Sequence, residues 1–85
     1  MNYALEWTAR AVNQLAAVWL AAADQLPVTQ AAHRLELALT QHPFAIGIAR
    51  GSSVSRTVTD FPLGIDYEII EDDKKVRVLR VWSLI

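Results

Sequence analysis

The side chains of this sequence that could take part in chemistry are mainly arginines. A basic patch suited to nucleic acid could form only if the fold gathers four of them from the second half of the chain: Arg50, Arg56, Arg77 and Arg80. The chain as a whole has no basic surplus, because eight Lys and Arg face nine Asp and Glu and the net charge is −1. Arg80 lies between two apolar residues and would need an acidic partner across a sheet, such as Asp66 or Glu68. A structural ion pair is therefore the main interpretation of Arg80.

Other reactive groups are sparse. The absence of cysteine excludes a disulfide framework, a thiol nucleophile and a Cys-based metal site, and it fits a reducing cytosol. His33 and His42 are nine residues apart with no third ligand in register, so we expect no metal site and no cofactor. His42 falls at the predicted end of a helix, where it could cap carbonyls and complement the helix dipole. The segment "EDDKK" lacks the spaced ligands and the glycine of a calcium loop, and "ARGSS" lacks the strand–glycine–helix context of a phosphate cradle.

The first half of the sequence predicts a strand and two helices. Alternating residues predict a short strand over residues 2–7 whose buried face holds Tyr3, Leu5 and Trp7. Thr8 offers an N-cap for a helix of about 16 residues. The apolar stripe of this helix, which should face the core, is Val12, Leu15, Ala16, Trp19 and Ala23. A second helix begins near Pro27 and ends before Pro43, and its matching stripe is Ala31, Leu35, Ala38 and Leu39. A short connection joins the two helices into an antiparallel hairpin.

The second half predicts a loop followed by strands. Residues 44–53 contain two glycines and two serines and are expected to form a loop. Three strands follow at about residues 54–60, 63–70 and 76–82, separated by turn residues. The order predicts an α+β fold, β-α-α-β-β-β, with an antiparallel C-terminal sheet, an N-terminal strand and a helical hairpin packed on one face.

The chain is apolar for its size. Residues are 53% hydrophobic, and an 85-residue chain, which we expect to form a single domain over residues 1–85, cannot hide all of them. Some apolar surface should therefore meet a partner or another copy. The last strand is apolar on both faces, with Val76, Val78 and Trp82 expected on one and Leu79 and Val81 on the other. The longest apolar stretch, "AVNQLAAVWLAAADQL", contains polar residues and falls short of the roughly 20 apolar residues of a membrane span. The N-terminus lacks the basic region of a signal peptide.

A series of landmarks runs along nearly the whole chain: "LEWTARAVNQLAAVW", "AAHRLELALTQHP", Gly47, Arg56, "FPLGIDYEI" and "KKVRVLRVW". Their order and spacing resemble the RelE/ParE superfamily of bacterial type II toxin–antitoxin toxins. The resemblance implies a small cytoplasmic toxin, of the kind associated with plasmid stabilisation, that is encoded beside a cognate antitoxin. In this superfamily the tail of the antitoxin wraps the toxin and masks its working surface.

The resemblance leaves three functions open. ParE-like members poison DNA gyrase, RelE-like members are ribosome-dependent mRNA endoribonucleases, and degenerate members only bind an antitoxin. RelE-like nucleases often carry a His or Tyr at or beyond the end of the last strand. Here "VWSLI" offers only Ser83, and an unactivated hydroxyl is a poor base at neutral pH. A ParE-like toxin that binds a macromolecular target is therefore favoured over an enzyme.

The resemblance also implies candidate contact residues. Arg56 matches the strand arginine that contacts phosphate in the nucleases, and a guanidinium fork suits that role. The alternative is an exposed strand arginine paired with a neighbouring acid. Arg50 and Arg80 join Arg56 as candidate contacts to a target or to phosphate. The antitoxin, or self-association into a homo-oligomer when the protein is isolated, should cover a surface made of Val78, Leu79, Val81, Trp82 and Leu84.

Overall fold

Five strands form one mixed sheet in a computed structural model that describes residues 2–85, so that Met1 of the expected 1–85 domain lies outside the described residues. The strands are β1 (Ala4–Trp7), β2 (Ile48–Ser52), β3 (Ser55–Asp60), β4 (Leu63–Ile70) and β5 (Lys75–Ser83). The helices are α1 (Ala9–Ala21) and α2 (Leu26–Gln41), and a 3-10 turn spans Glu71–Asp73. The sheet order is β1-β5-β4-β3-β2, with β1 parallel to β5 and every other pair antiparallel.

The predicted α+β fold is confirmed, and one strand is added to it. Residues 48–52, which were expected to be loop, form β2 and pair with β3 at the edge of the sheet. All five residues of β2 are exposed, and a register shift interrupts its pairing after Ala49. An edge strand that is short, irregular and solvated carries no apolar alternation, so the pattern that marks strands in a sequence is missing here.

The residues at the two ends of each helix explain where it begins and ends. The hydroxyl of Thr8 accepts a hydrogen bond from the N–H of Ala11 at 3.2 Å, which confirms Thr8 as the N-cap of α1. Pro27 lies in the first turn of α2, where its missing N–H costs no helical hydrogen bond. At the other end, the backbone N–H of His42 donates to the carbonyl of Ala38 at 2.8 Å, and the helix stops before Pro43.

The core lies between one face of the sheet and the two helices. Its buried residues are Ala11, Val28, Ala31, Leu35, Leu39, Leu63, Ile65, Tyr67, Ile69, Val76, Val78 and Val81. The stripe expected on α2 is confirmed at Ala31, Leu35 and Leu39. The stripe expected on α1 is partly wrong, because Val12 and Trp19 are 50% and 39% exposed. The core-facing side of α1 is one step round the helix, at Ala11, Leu15, Val18 and Ala22.

A β-bulge changes the alternation of side chains along β5. Tyr67 of β4 lies opposite Val78, whereas Asp66 lies opposite Arg80, so Leu79 is an extra residue on β5. Side chains alternate with a period of two, so one extra residue exchanges the faces of everything beyond it. Val81 therefore joins Val76 and Val78 in the core, and Trp82 lies on the opposite face. The expected grouping of Trp82 with Val76 and Val78 is wrong for this reason.

Helix α1 lies along the part of β5 that β1 does not reach. The pairing of β1 with β5 ends at Trp7 and Val78, and the N–H of Thr8 donates to the carbonyl of Val78 at 3.1 Å. Beyond that point the side-chain oxygen of Gln14 accepts the N–H of Val81 at 2.8 Å. A polar side chain on α1 thus satisfies a strand donor that would otherwise be buried without a partner. No helix within residues 2–85 is long and apolar enough to cross a membrane.

Candidate functional site

The face of the sheet turned away from the helices, which we call the open face, carries most of the charged residues of the strands. Its side chains include Glu6, Arg50, Ser55, Thr57, Asp66, Glu68, Lys75, Arg77, Leu79, Arg80 and Trp82. A shallow groove of about 600 Å³ crosses it over β2 to β5. The fold therefore gathers three of the four arginines on one surface, namely Arg50, Arg77 and Arg80, together with the acids that accompany them.

A chain of polar contacts crosses the groove and centres on Asp66. The hydroxyl of Thr57 donates to Oδ1 of Asp66 at 2.5 Å, and Nε of Arg50 donates to that hydroxyl at 3.2 Å. Nη1 of Arg80 lies 3.6 Å from Oδ2 of Asp66. The acidic partner predicted for Arg80 is thus present, and one carboxylate links two arginines across four strands.

A second row of ion pairs lies towards β1. Arg77 contacts Glu68 at 3.1 Å and Glu6 at 3.5 Å, and Lys75 also lies 3.5 Å from Glu6. The open face therefore holds four cationic side chains against three anionic ones. Lys75, Arg77 and Arg80 each have a carboxylate within ion-pair distance, and the surface carries almost no net positive charge.

An aromatic platform lies beside these charges. Trp82 is opposite Gly64 in the register, and a Cβ built on Gly64 would come within 2.5 Å of the indole ring. The absence of a side chain at residue 64 is what lets the ring lie flat on β4. The guanidinium carbon of Arg80 is 5.8 Å from the ring centroid, within the range of a cation–π contact.

Arg56 lines the same groove but uses its guanidinium within the chain. It donates to three backbone carbonyls, those of Ile46 at 3.1 Å, Gly47 at 3.1 Å and Ser53 at 3.0 Å. Its partners are thus the carbonyls of the segment before and after β2, rather than the acid expected from the sequence. Contact between Arg56 and a phosphate stays a prediction.

The segment between α2 and β2 is held by Tyr67 as well as by Arg56. The buried hydroxyl of Tyr67 is 2.7 Å from the carbonyl of Pro43 and 2.9 Å from that of Ile46. Burial raises the pKa of Tyr67, and the nearby Arg56 guanidinium opposes that shift. Gly47 has φ +74°, and a Cβ there would lie 2.8 Å from the Thr57 carbonyl. Two landmarks of the sequence, Gly47 and Arg56, therefore fix the backbone behind the groove.

The surface predicted for self-association or for an antitoxin needs a correction. Val78 and Val81 are 0% and 4% exposed and belong to the core of this chain: Val78 faces the helices in the regular part of β5, and the bulge at Leu79 turns Val81 to the same side. Leu79 and Trp82 are half-buried on the open face, and Leu84 is exposed. Whether these three residues contact another chain stays a prediction.

Sequence reasoning missed two apolar grooves on the helical side. One, of about 480 Å³, runs between α1 and α2 and contains the exposed Val12 and Trp19. The other, of about 700 Å³, lies between the end of α1 and the residues Phe61, Pro62 and Ile85. The apolar composition of the sequence predicted that some apolar surface would be exposed, but it could not show where on the molecule that surface lies. Across residues 2–85, no three His, Asp or Glu side chains come together as a metal site would require.

Comparison with known proteins identifies the fold. The sequence matches no protein-family model, and no curated protein matches it. Among solved structures, a chain of the toxin–antitoxin complex RelBE2 from Mycobacterium tuberculosis is 22% identical, with a TM-score of 0.69 over 98% of this chain and 99% of that one. An Escherichia coli RelE toxin variant in the free state is 18% identical, with a TM-score of 0.73 over 98% and 84%. A chain of the chromosomal ParDE system from Pseudomonas aeruginosa is 18% identical, with a TM-score of 0.72 over 98% and 97%. The resemblance to RelE/ParE toxins is thus confirmed at the level of the fold.

Proposed function

We propose that this chain is the toxin component of a type II toxin–antitoxin system and is neutralised by a cognate antitoxin. The observation that carries the proposal is that RelE and ParE structures match the chain over nearly its whole length. Two of these neighbours belong to toxin–antitoxin systems by description. Fold alone does not fix function, so the proposal also has to fit the surface of this chain.

The surface favours a toxin that works by binding, in the manner of ParE. On the open face, cations are paired with carboxylates rather than left free for a phosphate backbone. The hydroxyl of Ser83 accepts the N–H of Ile85 at 3.1 Å and has no base beside it among the contacts of the described residues. We therefore infer a macromolecular target, with DNA gyrase as the first to test, in the cytoplasm.

Exposed apolar surface supports an antitoxin partner. Eleven large apolar side chains of the described residues are 38% to 89% exposed, and four of them line the two apolar grooves, which predicts that another chain covers some of this surface. We propose that the antitoxin tail lies over Leu79 and Trp82 on the open face and continues past Leu84. The isolated toxin should associate with itself through the same residues.

The test is co-expression of this chain with the short open reading frame next to its gene. Induction of the chain alone should stop growth, and co-expression should restore it and yield a complex that purifies as one species. Trp82→Glu should weaken that complex and lower the mass of the isolated protein at micromolar concentration. Leu20→Glu is the matched control, because Leu20 is exposed and lines none of the grooves described above. An antitoxin complex unaffected by either change would remove the open face as the binding surface.

Transcript mapping separates this proposal from the ribonuclease alternative. We expect no new 5′ ends in cellular mRNA after induction, and inhibition of supercoiling by purified gyrase in vitro. Discrete, ribosome-dependent cuts would instead identify a RelE-like endoribonuclease, and Arg56→Ala would then be the first variant to examine. If growth and supercoiling both continue unchanged, the chain would be a member that binds an antitoxin but is not toxic.

A further inference from the structure

The carboxylates of the open face lie within ion-pair distance of its cations. Asp66 contacts Arg80 and, through the Thr57 hydroxyl, is linked to Arg50. Glu68 contacts Arg77. The two acids are neighbours on the same face of β4, in the centre of the sheet, so each lies between the cations of β5 and the polar residues of β3.

This arrangement has a physical consequence for nucleic acids. Binding of a phosphate backbone is driven by cations that neutralise phosphates and release counterions. A carboxylate already in contact with a guanidinium competes with the phosphate and repels it. The groove otherwise has the components of a single-strand binding surface, namely two accessible arginines and an indole ring on which a base could stack.

We propose that Asp66 and Glu68 are specificity residues that keep polyanions off the open face. The side chain of Arg80 is 56% exposed and that of Arg77 is 34% exposed, so both guanidinium groups can reach a phosphate once the acids are neutral. Replacing both carboxylates by amides keeps the side-chain shapes and the hydrogen-bond acceptor for Thr57. The inference does not depend on the toxin assignment, since it concerns what this face binds in vitro.

The experiment measures binding of a fluorescent 20-nucleotide single-stranded RNA by anisotropy. The wild type should bind weakly at about 0.1 M salt. Asp66→Asn with Glu68→Gln should bind roughly 25-fold more tightly, because each added phosphate contact contributes about fivefold at that salt concentration. The salt dependence should steepen by about 0.7 per added contact in a plot of log affinity against log salt.

Two controls make the result specific to the open face. Asp72→Asn with Asp73→Asn makes the same change in net charge on the exposed 3-10 turn, outside the groove, and should leave affinity within about twofold because salt screens distant charges. Asp66→Glu keeps the charge and should not gain binding. Thermal unfolding of each variant checks that the fold is intact.

Three outcomes would overturn the proposal. Wild-type protein that binds the RNA as tightly as the double variant would show that the carboxylates exclude nothing. An equal gain in the Asp72 and Asp73 variant would show that net charge alone decides. A folded double variant with no gain would show that the freed arginines do not reach phosphate.

Discussion

Different interactions stabilise the two faces of the sheet. On the helix-covered face, Leu63, Ile65, Tyr67 and Ile69 alternate along β4 and are almost completely buried. On the open face, Asp66 and Glu68 alternate with them and take part in ion pairs at 3.1 to 3.6 Å. A buried large apolar side chain contributes about 1.5–3 kcal/mol, whereas an exposed ion pair contributes about 0–1 kcal/mol. One face therefore supplies stability, and the other is free to be shaped by what it binds.

The strongest test of this comparison is Leu35→Ala on α2. Leu35 is 2% exposed and packs in the core, so the free energy of unfolding should fall by about 2–5 kcal/mol. Leu20→Ala makes the same chemical change at a residue that is 72% exposed, and it should cost less than about 0.5 kcal/mol. Urea unfolding at constant pH measures both. Equal losses would mean that the helical side does not hold the core as described.

Gly64→Ala tests the close packing of Trp82 on the open face. The new methyl group would meet the indole of Trp82, and displacement of the ring should cost about 1–3 kcal/mol. Trp82→Ala removes the obstacle, so the two changes together should cost less than the sum of the single ones by about 1 kcal/mol or more. A double-mutant cycle from denaturant unfolding measures this coupling. Simple additivity would indicate that the ring does not lie on Gly64 in solution.

Tyr67→Phe tests the polar end of the covered face. Loss of the hydroxyl removes the donor to the Pro43 carbonyl, whereas the Ile46 carbonyl still accepts from Arg56, and the expected cost is about 0.5–1.5 kcal/mol at neutral pH. Burial raises the pKa of Tyr67 above its ordinary value of 10.0, so the folded state holds the proton more tightly than the unfolded chain. The contribution of this group is complete below pH 10 and is lost as pH rises through the raised pKa. Stability measured from pH 8 upwards should therefore fall less steeply in Tyr67→Phe than in the wild type.

Arg77→Ala should have the smallest effect. Arg77 contacts Glu6 and Glu68, but all three side chains are at least one-third exposed, so the expected loss is about 0–1 kcal/mol and shrinks as salt increases. Thermal unfolding at low and high salt measures it. A loss above about 2 kcal/mol that salt does not reduce would mean that the open face also contributes to the core.

The sequence predicted most of the covered face and little of the open one. The stripe on α2 was identifiable because polar residues fill the rest of that helix. Helix α1 is rich in alanine and apolar on several sides, so periodicity could not fix which side faces the sheet, and Val12 and Trp19 were misplaced. Its polar residue Gln14 points inwards to an unpaired strand N–H, which no periodic pattern predicts.

The arrangement of side chains on the open face depends on the β-bulge at Leu79, which the sequence pattern does not reveal. The alternation of apolar residues in "VRVLRVW" allowed either a regular strand or a bulge, and only the pairing with β4 shows that Leu79 is the extra residue. The partner of Arg80 was predictable, because an arginine on an apolar strand needs an acid nearby. The three carbonyl partners of Arg56 were not predictable, because Arg56 itself holds the backbone segment that carries them.

The parallel pairing of β1 with β5 means that the sheet cannot be completed until β5 is made. Ala4 pairs with Lys75, so the contact closes a loop of about 70 residues, which slows folding relative to contacts between neighbours in sequence. During synthesis the helical hairpin and β2 to β4 leave the ribosome first, and β5, which lies between β1 and β4, follows them. Until then the apolar side chains of Tyr67 and Ile69 lack their cross-strand neighbours Val78 and Val76. A nascent chain of this kind is exposed to aggregation until β5 is made, and any ligand that binds across β5 and its neighbours can engage only a chain that has completed its sheet.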